Sequence, residues 1–204
     1  MERVAQNINH TQIEFEADGR FEIKLTPNPQ GKNEFKLHED VVNLFTREYF
    51  HDRFNSRESS LEIQNLRPQG TSKPLSDEVL AARIEVMTTF FEQSTWLAPL
   101  PVEFPENAFL PPFEFDAEQG GWGTIDNVYC FGKFKLEDHQ YLKIHFTAPK
   151  CCYWGMQTWN HLMQSMDYTA YPVGLNNANA TPNEDGSFTI YLSHQKMAVD
   201  NWIS

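Results

Sequence analysis

The sequence predicts a mostly β protein: an antiparallel β-sandwich, jelly-roll-like, with one long amphipathic α-helix packed on it. Three observations predict this class. From residue 124 onward, short runs rich in β-branched and aromatic residues recur at near-regular spacing between turn clusters. Connections such as EDHQ (137–140) and NEDGS (183–187) are too short for crossovers, so neighbouring strands must pair antiparallel. Only residues 76–93 carry a sustained helical period.

In chain order, residues 12–27 (QIEFEADGRFEIKLTP) read as a β-hairpin. Ile13 and Phe15 alternate with glutamates, Asp18-Gly19 turns, and Phe21, Ile23 and Leu25 alternate again. TPNPQGKN follows as a loop. VVNLFTREYF (41–50) reads as a strand apolar on both faces and therefore interior; SLEIQNL (60–66) reads as a second strand after a polar connection. RPQGTSKPL (67–75) breaks the pattern. Ser76 then caps a helix with Asp77 and Glu78 in its first turn, where carboxylates favour the helix dipole. Leu80, Ile84, Met87 and Phe91 form its apolar stripe, so they are expected buried, with Arg83, Glu85 and Glu92 exposed. Residues 98–118 hold five prolines and read as an extended connection; EQGGWG (118–123) reads as a turn. Five strands follow, within NVYCFGKFKL, QYLKIHFTAP, YWGMQTW, YPVGLNNA and SFTIYLS. The organisation is thus an N-terminal β segment (1–66), a linker and helix (67–97) and a C-terminal β segment (98–204), together one compact unit.

Composition narrows the function classes. A chain of 204 residues with 14% aromatic and 22% charged residues can build a core and is not a disordered segment. Its formal net charge is −12, without a cluster of Lys or Arg. Nucleic acid and anionic membrane surfaces are therefore not expected partners. The first fifteen residues lack the apolar core of a secretory signal, and three cysteines, two of them adjacent, do not make a disulfide framework. A cytoplasmic setting is the default expectation.

The chemistry-bearing stretch is CCYWGMQTWNHLMQSMDY (151–168). Cys151, Cys152, His145 and His161 offer thiolate and imidazole, a zinc set. Adjacent cysteines on a strand point to opposite faces, however, and no paired Cys or His spacing supports a metal. Small buried hydrophobes are the expected role of these cysteines. No nucleophile motif occurs, and no cofactor is expected. In YWGMQTW, Trp154, Met156 and Thr158 share one face, while Tyr153, Gly155, Gln157 and Trp159 share the other. Both are largely apolar, which fits a central strand between two layers. A second reading is an aromatic groove with polar handles, lined by Tyr153, Gln157, Trp159, Asn160, Asp167, Tyr168 and Asn176. Rings beside Asn, Gln and Asp suit a carbohydrate or another small polar-aromatic ligand. The favoured function is a non-catalytic binding or structural module. The alternative is a hydrolase-type enzyme using Asp167 and His161 as its acid/base pair.

In the C-terminal half, Tyr129, Gly132, Phe134 and Leu136 precede an acidic turn at Asp138, and Pro149, Tyr153, Trp154, Gln157, Asp167 and Tyr168 follow, then Asn176, Asp185-Gly186 and NWI at 201–203. In these residues and their order the chain resembles the domain-of-unknown-function 1214 family. The N-terminal pieces DGRFEIKLTP and TREYFHDRFNSRESSLEIQNL resemble the segment that precedes this domain in longer relatives. The resemblance implies a β-rich fold and no established activity. It also implies a chain cut at both ends, lacking a strand after Trp202. The resulting open edge, with Trp202 and Ile203 uncovered, is the expected seat of a two-fold homodimer.

Overall fold

The computed structural model describes residues 3–66, 70, 74–97, 103–116 and 124–204. The turn expected at 118–123, most of the break at 67–75, and Pro99 and Pro101 lie outside the described residues. The fold is β-rich with one long helix among the described residues. The chain divides into two compact units, each discontinuous in sequence: residues 1–47 with 104–133, and residues 48–103 with 134–204. These boundaries differ from the 1–66, 67–97 and 98–204 division expected from composition, because strand partners are drawn from distant parts of the chain.

In the first unit, β1 (Lys24–Thr26) pairs in parallel with β2 (Glu34–Lys36), Leu25 opposite Phe35. The Asp18-Gly19 turn is present, with Gly19 at φ +85°, a conformation that glycine adopts without strain. The two-strand hairpin around it is not. Glu14 instead exchanges two hydrogen bonds, both 2.8 Å, with the side-chain amide of Asn33, which stands in for a strand partner. Lys24 Nζ donates to Glu34 Oε1 at 2.6 Å. That bond, with the amides of Gln30 and Gly31, holds the Glu34 carboxyl at about 2. Two short antiparallel pairs complete the unit: β3 (Ala108–Phe109) with β6 (Gly132–Lys133), and β4 (Phe113–Glu114) with β5 (Val128–Tyr129). Gly132 is required here, since a Cβ would stand 2.7 Å from the Ala108 carbonyl oxygen.

The second unit holds the core. β7 (Leu142–Phe146), β10 (Phe188–Leu192) and β11 (Trp202–Ile203) form a sheet with β10 in the middle, antiparallel to β7 and parallel to β11. The alternation in SFTIYLS is realised at its centre, where Ile190 and Leu192 are 0% and 4% exposed and Ile203 joins them at 1%; Ser187 and Ser193, on the opposite phase, are nevertheless buried. β8 (Gly155–Gln157) pairs antiparallel with β9 (Gly174–Asn176). Trp154, Met156 and Leu175 pack onto the Ile190–Leu192–Ile203 cluster, together with Phe134, Leu136, Leu142, Ile144 and Phe146. The Trp154 ring meets Phe188 and Phe146 edge-on at 4.8 and 5.2 Å.

NWI at 201–203 is a clamp. Asn201 Nδ2 donates to the carbonyls of Thr181 and Thr189, its Oδ1 accepts from Thr181 N, and its carbonyl accepts from Tyr191 N. Trp202 Nε1 donates to Ser193 Oγ at 2.9 Å. The edge of β10 expected to stand open is therefore occupied by β11, and Ile203 is core.

Several expectations are corrected. The central strand is β10, not the strand at 153–159; β8 presents Gly155, Gln157 and Trp159 to solvent and only Trp154, Met156 and Thr158 inward. Residues 41–50 and 60–66 form no strand, and Val42, Phe45 and Ile63 are exposed. An apolar run specifies a strand only where a partner supplies its ladder. All three cysteines are free and exposed, not buried.

The helix α1 (Asp77–Leu97) forms as expected, with Leu80 N donating to the Ser76 carbonyl and Val79 N lying 3.4 Å from Ser76 Oγ. It is not packed as expected: Leu80, Ile84, Met87 and Phe91 are 47–71% exposed. The sequence carries a physical reason. At about 100° per residue, Arg83 and Ser94 fall inside the arc that runs from Val86 through Leu80 to Ile84. A sheet laid over that arc would bury a guanidinium without a partner.

Two substitutions separate core from helix. Ile190→Ala should cost about 2–5 kcal/mol. Leu80→Ala should change stability by less than about 0.5 kcal/mol. Urea denaturation of both variants reads the difference.

Candidate functional site

The predicted site residues lie just before and on β8, on the loop 158–171 that leaves it, and at the end of β9. What positions them is a set of short-range hydrogen bonds made by their own polar groups. Asn160 Oδ1 accepts from the amides of Leu162 and Gln164, both at 3.0 Å, and Asn160 Nδ2 donates to Gln164 Oε1 at 2.8 Å. This closes the turn in which Met163 takes φ +59°. Gln157 Nε2 donates to Ser165 Oγ at 3.2 Å, beside the bridge between Trp159 and Ser165. Asp167 Oδ1 accepts from Thr169 N, Thr169 Oγ1 and Ala170 N. The Thr169 hydroxyl bond, then the backbone amides, hold the Asp167 carboxyl below its ordinary value.

Asn176 is buried at the end of β9 and does a different job. Its Nδ2 donates to the carbonyls of Phe50 and His51, at 3.2 and 3.0 Å, while its Oδ1 accepts from Ala178 N. A segment 126 residues away in sequence is thereby pinned to the end of the sheet. Asp52 caps the turn that follows, accepting from Phe54 N and Asn55 N and, on Oδ2, from Asn55 Nδ2. Asn55 chiefly lowers its carboxyl pKa.

The pinned segment brings two side chains to Tyr153 and two to Tyr168 of the loop. Tyr49 and His51 lie 5.2 and 5.7 Å, ring to ring, from Tyr153. Phe54 lies 6.3 Å from Tyr168, and the Arg53 guanidinium carbon sits 4.8 Å above the Tyr168 ring, a cation–π contact. Gly155 gives Tyr153 its place: a Cβ there would stand 2.9 Å from the Tyr153 hydroxyl oxygen. The ring that Gly155 accommodates is thus that of Tyr153, two residues earlier in the chain.

Of the seven candidates, Tyr153 and Asn176 converge on the 49–51 segment and Tyr168 on Arg53 and Phe54. Asn160 and Asp167 bond within their own loop, and Trp159 is exposed. Sequence reasoning missed Tyr49, His51, Arg53 and Phe54. The signal was YFHDRF (49–54), a dense aromatic and basic run, which was divided between an interior strand and a polar connection. The arrangement offers exposed rings, one guanidinium and an ionised carboxylate. It does not offer a raised carboxyl: Asp52 and Asp167 are both lowered, which suits hydrogen-bond acceptors and not proton donors.

The frame that runs from Gly132 through Trp154 and Gln157 to Asn201 and Trp202 is spread over β6, the strand β8 with the residue before it, and the junction of β10 with β11. Residues 132–204 match the family model for a protein of unknown function, DUF1214. The DUF1214 segment therefore contains the core cluster and all seven candidates. No curated protein matches the chain. The crystal structure of an uncharacterised protein from Burkholderia cenocepacia is similar over 97% of this chain, at 25% identity and a TM-score of 0.80. The chain spans 56% of the length of that protein. Among the described residues no helix is long and apolar enough to cross a membrane.

Asn176→Ala should release the 50–51 segment while leaving β7–β10 intact. Proteolysis confined to residues 48–56, at unchanged thermal midpoint, is the expected outcome. Asp167 gives a pH dependence of known sign. A carboxyl lowered by folding stabilises its loop above the unfolded-state value, and that contribution disappears as pH falls through the folded-state value. The amide resonances of Thr169 and Ala170 should therefore hold steady from pH 7 to 5 and shift together below about pH 4.

Proposed function

We propose that the chain is a non-catalytic binding module whose ligand is a carbohydrate or another small polar-aromatic molecule, taken on the surface formed by Phe54, Arg53, Tyr168 and Trp159. The observation that carries this reading is the Arg53–Tyr168–Phe54 cluster. Phe54 is 73% exposed and Tyr168 43% exposed, yet the Tyr168 ring is met by Arg53 and Phe54 from the pinned segment. Rings fixed in solvent present large contact area at little further cost in side-chain entropy, which is how stacking sites are built. Gln157, Asn160 and Asp167 stand on the same β8 strand and loop to supply hydrogen bonds to hydroxyl groups. The lowered carboxyl of Asp167 supports binding over acid catalysis. The supporting frame, on this reading, is a small sandwich of jelly-roll type, with the β7–β10–β11 and β8–β9 sheets as its two layers.

Titration of the chain with soluble oligosaccharides of differing linkage, followed by two-dimensional NMR, tests the proposal. The amides of 53–55 and 159–170 should shift, and Tyr168→Ala should weaken affinity roughly two- to tenfold. No shift with any saccharide, or shifts unaffected by a Phe54→Ala, Tyr168→Ala double variant, would overturn it.

A further inference from the structure

The helix α1 is the longest element among the described residues, and its apolar face stands in water. It runs 21 residues, about 31 Å at ~1.5 Å per residue. Leu80, Ile84, Met87 and Phe91 are all exposed. A helix draws most of its stability from packing such a face, not from propensity.

The sequence of α1 repeats in sevens. Glu78, Glu85 and Glu92 recur at one heptad position, Leu80 and Met87 at a second, Ile84 and Phe91 at a third. The second and third are the d and a positions of a coiled-coil seam; the glutamates then fall at b, away from it. This pattern suits a partner helix better than a sheet, because a helix covers only the narrow a/d stripe. Arg83 shows the difference. At position g it flanks the seam, so its stem lies along the apolar side chains while its guanidinium stays in water.

The hydroxyls on this side are already satisfied. Thr88 Oγ1 donates to the Ile84 carbonyl at 2.9 Å, and Ser94 Oγ donates to the Phe90 carbonyl at 2.7 Å. A helix laid over them leaves no donor orphaned. Ala81 and Thr88, at position e, are small enough to let a second backbone come close.

The complement of this face is the same helix turned end for end. In an antiparallel pair about a two-fold axis, Ile84 meets Met87 of the second copy and Leu80 meets Phe91. The flanks set Arg83 beside the Phe90 ring of the second copy, twice by symmetry, within reach of a cation–π contact. Asp77 lies opposite Ser94, and the helix dipoles oppose. A parallel pair sets Asp77 against Asp77 and aligns the dipoles.

We propose that two copies of the chain associate through α1, as an antiparallel two-fold helix pair with Leu80, Ile84, Met87 and Phe91 as its seam. The association depends on concentration. At dilution α1 stands alone and frays; as the concentration rises, the seam closes.

Light scattering during size exclusion, on the full chain over a range of concentrations, is the first test. The mass should rise from 23.7 kDa towards twice that value. Ile84→Asp places a charge in the seam and should weaken association by about a hundredfold or more. Val86→Asp, the same kind of change at position c, should leave the dimer in place. Hydrogen exchange at amides 82–94 should slow with rising concentration in the wild type and not in Ile84→Asp, while Ile190 and Leu192 are indifferent in both. In mixed dimers of labelled and unlabelled chains, Leu80 methyls should show contacts with the Phe91 ring across the pair. A mass that stays at 23.7 kDa up to the solubility limit overturns the proposal and leaves the face to a partner of different sequence. Val86→Asp dissociating the dimer as fully as Ile84→Asp overturns the seam. Contacts between the two Leu80 side chains overturn the antiparallel register.

Discussion

Everything ordered in the second unit depends on the burial of three side chains, Ile190, Leu192 and Ile203, on adjacent parallel strands. They are among the few large apolar residues that lose nearly all contact with water. Each fully buried aliphatic side chain contributes about 1.5–3 kcal/mol, so a core this small cannot hold the unit by area alone. Polar groups carry the remainder. Asn201 satisfies two backbone carbonyls and one amide at the junction of β10 and β11, and buried Thr158 donates between the carbonyls of Val173 and Ser204. Each such group would be costly if left unpaired.

The same economy shapes the candidate site. Asn160, Asp167 and Asn176 look like ligand handles in the sequence because they are polar residues among rings. In the structure they are first the builders of loops, each replacing a strand partner or closing a turn. Loop-building by Asx side chains competes with regular structure, and here it decides where the rings go. Asn176 fixes Phe50 and His51; the rings of Tyr49, His51 and Phe54 follow from that one anchor. The placement of these rings is then a consequence of scaffold chemistry.

The legible parts of the sequence were those where side-chain period and backbone partner agree. SFTIYLS alternates, and its neighbours β7 and β11 supply ladders on both sides, so the inward phase of Ile190 and Leu192 is readable; the burial of Ser187 and Ser193 is not, because it follows from their hydrogen bonds with Asp185, Gln195 and Trp202. Trp154, Met156 and Thr158 were correctly assigned to one inward face; the opposite face was misjudged because Tyr153 and Trp159 are large, not because they are buried. The 41–50 and 60–66 segments are apolar but find no ladder, and nothing local distinguishes such a run from a strand. The Ser76 cap and the helical period were readable in α1. Its failure to pack was visible only in Arg83, one charged residue inside the apolar arc. The pairing of β1 with β2 in parallel could not be read at all, since the Asp18-Gly19 turn advertises an antiparallel hairpin that Asn33 pre-empts.

The central claim is that order radiates from the β10 strand and that α1 stands outside the cooperative core. Hydrogen exchange resolved to single amides tests it directly, because protection follows the free energy of local opening. The account predicts that Ile190 and Leu192 amides exchange slowest, by a global mechanism, and that amides 82–94 of α1 exchange faster by orders of magnitude through fraying of an unsupported helix. Equal protection in α1 and β10 would contradict it.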